Sequence, residues 1–195
     1  MIIFHVESSL FKKKHIQCMI HVFEYINHII ISPKNLHVDI KVHENEEYDD
    51  ILDAFTEIEE SDQYLFPTHS SISFMKHSLS YDRRYFTYVI LHELFHALGC
   101  MISHHTKWRE MIDCKNNVYN GKHATEKYIS LFRGRKTIKL YQEKDCVFSD
   151  KNHIDGIYDF FSADVYERIS PVSLFLLKDY GYHISDKIES FTLQI

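Results

Sequence analysis

The chain has 195 residues, 45% hydrophobic, 26% charged and 14% aromatic, with a formal net charge of −6. This is an ordinary globular composition, and five glycines and three prolines exclude a collagenous, linker-like or disordered class. With Lys12–Lys14 and Arg83–Arg84 as its basic runs, the chain lacks the phosphate-tracking stripe of a nucleic-acid binder, so no nucleic-acid partner is expected.

The length fits a single domain, 1–195. No uninterrupted apolar stretch approaches the roughly 18 residues of a membrane span. The start, MIIFHVESSLFKKKH, lacks the order of basic region, apolar core and cleavage site of a secretory leader. The expectation is a protein kept inside a cell, unless a leader has been removed or export takes an unconventional route. Cys18, Cys100, Cys114 and Cys146 form no Cys-x-x-Cys pair. They read as reduced thiols, with two bridges left open. The unusual count is 15 histidines, the side chain that titrates near neutrality and most often binds metal.

Between Leu10 and Ile31, the apolar residues Ile16, Ile20, Phe23, Ile26 and Ile30 recur at helical intervals. Ser8 or Ser9 would cap this helix, and Pro33 fits the break after it. Leu36, Val38, Ile40 and Val42 alternate with polar residues, predicting a half-buried strand. Glu44–Asp50 reads as an acidic turn, and Ile51, Phe55 and Ile58 suggest a short second helix. Asp39, Asp49, Asp50 and Asp53 lack a calcium-loop pattern and read as a solvated acidic face.

Ser71–Met75 alternates again, as a strand at a sheet edge would. Asp82–Cys100 is a long apolar helical segment with Gly99 in the stop position. Residues 116–151 are polar and irregular, with one helix at Ala124–Phe132. Ser170–Tyr180 opens with Ser-Pro and stops at Gly181, as a final helix should. The pattern is α+β.

Within the long helical segment stands His92-Glu93-Leu94-Phe95-His96. Residues one turn apart share a helix face, so both imidazoles can reach one zinc ion. Glu93 points obliquely to the same region, where it can take a proton from water instead of binding metal. Chance yields roughly 0.08 such motifs in a chain this rich in His and Glu. An apolar helix makes chance poorer still, because burying these three side chains without a partner is costly.

A catalytic zinc needs a third protein ligand and an open position. The metzincin continuation His-Glu-x-x-His-x-x-Gly-x-x-His fits through Gly99 and then meets Ile102 where histidine is required. His104, His105 and His123 remain candidates, as do the carboxylates Glu110 and Glu126 of another zinc-hydrolase class. A plain structural protein with a chance motif would carry no metal. Cys100 reads as a core residue rather than a nucleophile.

HELFHALG together with the downstream chain resembles leishmanolysin and the leishmanolysin-like metzincin metalloproteases. Trp108, the stretch Tyr119–Ala124 with Tyr128, Asp159–Ser162 after His153, and the segments Ile169–Leu174 and Leu177–Tyr182 follow the family's order. The likeness spans roughly residues 65–184. It implies that His153 is the third zinc ligand beside His92 and His96, and that Glu93 is the general base. It also implies a metzincin-like zincin catalytic domain. That domain would have a small twisted sheet with a backing helix, an active-site helix at Asp82–Leu98 and a C-terminal helix, divided into an upper part of about 1–99 and a lower part of about 100–195. The implied activity is a zinc-dependent endopeptidase with one catalytic Zn²⁺ and a protein or peptide substrate, held along the Ser71–Met75 edge. The chain departs from the family at Phe161, which stands where the Met-turn methionine would be, and this keeps a catalytically silent zinc-binding protein of the same fold as the alternative.

Overall fold

The computed structural model describes residues 1–7, 9–43, 52–100, 106–116, 118–132, 134, 136–139 and 171–185. They form an α+β protein with small sheets and five α-helices among the described residues. The chain divides into two compact units, one built on Met1–Leu98 and the other on Gly99–Ile184.

The first unit begins with strand β1 (Ile2–Val6), helix α1 (Lys13–Ile29), the two-residue β2 (Ile30–Ile31) and strand β3 (Leu36–His43). In β3, Leu36, Val38, Ile40 and Val42 are buried while the residues between them are half-buried, as the alternation requires. β1 runs parallel to β3, the pairing a helical crossover permits.

The buried face of α1 differs from the expected one. His15, Cys18, Met19, Val22, Tyr25, Ile26 and Ile29 point inward, while Ile20 is exposed. Apolar residues occupy more than one stripe of this helix, so periodicity alone leaves its rotation open. Its N-cap is Lys12, not a serine. The Lys12 backbone N–H donates to His15 Nδ1 at 3.0 Å, so Nε2 carries the proton and donates to the Leu79 carbonyl, also at 3.0 Å. Burial holds this imidazole below its ordinary pKa, so His15 is a neutral core residue.

The region expected as a second short helix is strand β4 (Ala54–Ser61). Phe55, Thr56 and Ile58 favour extended backbone, and pairing with the next strand decides against the helical spacing. Ser71–Met75 belongs to the longer β5 (Pro67–Met75), which is not at an edge. The sheet order is β1-β3-β5-β4, with β5 parallel to β3 and antiparallel to β4. β5 is buried along most of its length on both faces, as an interior strand must be. Among the described residues β1 and β4 are the two edges, and the exposed Glu57, Glu59 and Glu60 of β4 suit that place. The acidic turn 44–50 lies outside the described residues.

A 3₁₀ turn (Lys76–Ser80) leads to helix α2 (Arg83–Ala97), which packs against α1, β4 and β5. The Asp82 carboxylate accepts the Tyr85 N–H at 2.9 Å and caps the helix. Gly99, at φ 93°, takes the left-handed conformation that ends it. The expected bounds, Asp82–Leu98, therefore include both caps.

The second unit holds helix α3 (Thr106–Glu110), strands β6 (Ile112–Asp113) and β7 (Val118–Tyr119), helix α4 (Lys122–Leu131), strand β8 (Ile138–Lys139), helix α5 (Pro171–Tyr180) and strand β9 (His183–Ile184). β6, β7 and β8 form a small sheet. α4 packs on α5, and one carboxylate ties them. Asp179 accepts the His123 N–H at 2.6 Å, the Ala124 N–H at 3.0 Å and the Tyr119 hydroxyl at 3.1 Å. α4 has glycine at its N-cap, so Asp179 of α5 supplies the missing acceptor and places a negative charge at the helix N-terminus. Gly121 is required for space, since a Cβ there would strike the Tyr119 ring. Trp108 stacks on Tyr119 and Tyr180, with ring centroids 5.5 and 6.4 Å away.

Asp179→Ala should destabilise the protein by about 2–3 kcal/mol, from a lost cap and a buried phenol left with only the weak Met111 sulfur as acceptor. Asp179→Asn, which keeps an acceptor but loses the charge, should cost less. Denaturant unfolding of the two variants gives the order.

Candidate active site

Helix α2 is buried on nearly every side. From Phe86 to Ala97, only Tyr88, His92 and His96 are half-buried rather than buried. They stand at four-residue intervals, so they form one accessible stripe along an otherwise enclosed helix. A helix with so many apolar neighbours could have hidden both histidines. Instead, its packing leaves them half-buried.

The two imidazoles converge, with His92 Nε2 and His96 Nε2 3.1 Å apart and ring planes at 82°. Two nitrogens bound at about 2.05 Å to one tetrahedral zinc stand about 3.3 Å apart. The spacing and the donor type therefore fit one divalent ion.

Glu93 lies between them in sequence and is 5% exposed. Burial pushes its carboxyl up to about 7, offset in part by the Thr56 hydroxyl and assisted by the charge of Asp53. Thr56 Oγ1 sits 2.6 Å from Glu93 Oε2 and 3.1 Å from the Glu93 carbonyl, so the edge strand fixes the carboxylate directly. A carboxyl near 7 can both take and give a proton at neutral pH.

A second set of contacts joins the same two elements. Asp53, immediately before β4, accepts hydrogen bonds from the Tyr81 hydroxyl and from the Tyr85 hydroxyl at 2.8 Å, and faces His77 Nε2 at 3.2 Å. Its carboxyl would be raised by burial, but the bonds from Tyr81, Tyr85 and His77 prevail and hold it below its ordinary value. Asp53 is thus a structural anchor and not part of a merely solvated acidic face. Asp39 is also engaged, with His69. From the anchor, rings run along α2: Tyr81 to Tyr85 at 4.7 Å, Tyr85 to Tyr88 at 5.8 Å and Tyr88 to His92 at 6.1 Å.

His153, the expected third ligand, lies outside the described residues, as do His104, His105 and the Asp159–Ser162 segment with Phe161. Of the other candidates, Glu110 on α3 and Glu126 on α4 are exposed, and His123 on α4 is half-buried. Cys100 is buried, and that burial pushes its thiol well up, as a core residue requires.

No protein-family model matches this chain, and no curated protein matches its sequence. The site therefore stands on its own geometry. In the sequence Asp53 read as part of a solvated face, and Thr56, Tyr81, Tyr85 and Tyr88 carried no assigned role. The spacing of Tyr85, Tyr88, His92 and His96 was a usable signal, whereas the pairing of Thr56 with Glu93 had none.

Thr56→Val preserves shape and removes the hydroxyl, and should cost about 1–2 kcal/mol by denaturant unfolding. The pH dependence at Asp53 has a definite sign. Its folded-state pKa lies below the unfolded one, so the stability it contributes is present above about pH 4 and lost as pH falls through the folded value. Asp53→Asn should flatten the acid limb of a pH–stability profile. An unchanged limb would remove Asp53 from the anchor.

Proposed function

We propose that this chain is a zinc-dependent endopeptidase of the leishmanolysin-like metzincin type. The observation that carries this is the stripe on α2, where two imidazole nitrogens meet at 3.1 Å beside a buried, protonatable carboxyl. His92, His96 and His153 would hold the zinc. When bound, the ion would supply Lewis-acid polarisation of a carbonyl and lower the pKa of water from 15.7 to about 7.

The residues of the chain supply the rest. His92 and His96 project from the accessible stripe and orient their nitrogens toward one point. Glu93 accepts a proton from the attacking water and delivers it to the leaving amine, and the Thr56 hydroxyl keeps its carboxylate in place. β4, rather than β5, is the strand with an open edge, so an extended substrate would add its backbone there, next to the strand residue that holds Glu93. The contacts among Tyr119, Gly121, Ala124 and Asp179 support treating the resembling segments as one structural device. The position of Phe161 favours the second reading, a zinc-binding protein without catalysis.

Elemental analysis of purified wild type and His153→Ala, followed by cleavage of a broad peptide library, tests the proposal. One motif-bound zinc, lost or weakened at least tenfold in the variant, together with cleavage abolished by Glu93→Ala, is the expected result. Zinc at the motif that survives His153→Ala moves the third ligand elsewhere. A zinc-loaded protein that cleaves nothing establishes the silent reading.

A further inference from the structure

The sheet carries a second gathering of metal-binding side chains, on the face opposite its Val38 and Ile40 side. Register places His5 of β1 directly across from Asp39 of β3, and His37 lies two residues before Asp39 on the same face. His5, His37 and Asp39 thus occupy neighbouring positions of two paired strands, where cross-strand side chains touch. The two imidazoles lie parallel within 4°, and His5 Nε2 stands 3.1 Å from His37 Nδ1. With the ring centroids 5.4 Å apart, the two nitrogens meet head to head in an imidazole–imidazole hydrogen bond. On β5, His69 is paired with His37 in the register, and its Nε2 lies 2.8 Å from Asp39 Oδ2 and 3.6 Å from Glu59.

We infer that His5, His37 and Asp39 form a second site for a divalent transition metal, with His69 as the outer partner that orients the Asp39 carboxylate. Two imidazoles and a carboxylate are a donor set for zinc, nickel or copper rather than for calcium or magnesium. A ligating carboxylate is ordinarily held in turn by a hydrogen bond, which His69 supplies to Asp39. Among the described residues, no three donors already converge on one point. Here the His5 and His37 nitrogens face each other along one hydrogen bond, and Asp39 has turned Oδ2 to His69. An ion would replace the imidazole–imidazole bond with a bond to each ring, and Oδ1 is the atom that would supply the third. The sheet backbone fixes the three attachment points, so binding needs rotation of both imidazoles and no movement of strands. His5 is exposed and His37 and Asp39 are half-buried, so an ion can enter from solvent.

The test uses metal-stripped full-length protein titrated calorimetrically with Zn²⁺, with bound metal counted after gel filtration. His92→Ala/His96→Ala should retain one zinc, and adding His37→Gln to that protein should abolish it. Asp39→Asn in the same background should weaken binding by about tenfold or more. The His5→Gln/His37→Gln protein should lose one equivalent relative to wild type. That comparison also serves if the motif variant fails to fold. With Cu²⁺, the motif variant should give an electron paramagnetic spectrum with nitrogen couplings that disappears with His37→Gln. A folded motif variant that holds no zinc, or a zinc that persists after His37→Gln, overturns the site. Failure of the α2 site has a different signature, in which wild type and the motif variant hold the same single ion.

Discussion

A carboxyl group enclosed at the junction of a helix and a strand is the constraint on which the first unit depends. Glu93 sits on a helix whose other neighbours are apolar, and an ionised carboxylate there carries a large desolvation cost. The Thr56 hydroxyl lowers that cost only if β4 lies alongside α2 in one register. β4 can lie there only if it occupies the sheet edge and β5 takes the interior. The arrangement of the sheet and the protonation of one side chain are therefore parts of the same solution.

Asp53 reinforces this junction from just before the same strand, three residues ahead of Thr56. Its bonds from Tyr81 and Tyr85 tie the start of β4 to the start of α2, while Thr56 ties the strand to Glu93 in the C-terminal half of the helix. Two polar anchors with different partners fix both the position and the direction of the strand, which hydrophobic contact alone would leave free to slide. The result is a rigid platform on which Tyr88, His92 and His96 are the open positions. A site built on packed elements holds its geometry better than one built on loops.

The second unit solves a different problem with similar means. Its helices are short, and α4 starts at a glycine that the Tyr119 ring leaves no room to replace. The helix N-terminus therefore takes its cap from a distant residue, Asp179, which also receives the Tyr119 hydroxyl. Residues 119–124 and 177–182 are far apart in the chain, yet one carboxylate makes them interdependent.

By itself, the sequence determined the elements whose signals are local. The alternation of Leu36–Val42, the glycine after Leu98 and the one-turn spacing of His92 and His96 each act within a few residues, and each was legible. What tertiary structure decided was every choice between faces and partners. Periodicity could not set the rotation of α1, because several of its stripes are apolar. The spacing of Phe55 and Ile58 fitted a helix, but pairing with β5 made a strand. The edge passed from β5 to β4, because strand order depends on contacts that no segment encodes alone. The histidine pair was visible in the chain. That the pair is half-buried rather than hidden, on a helix whose Glu93 carboxyl is held by Thr56, followed only from the packing of the unit.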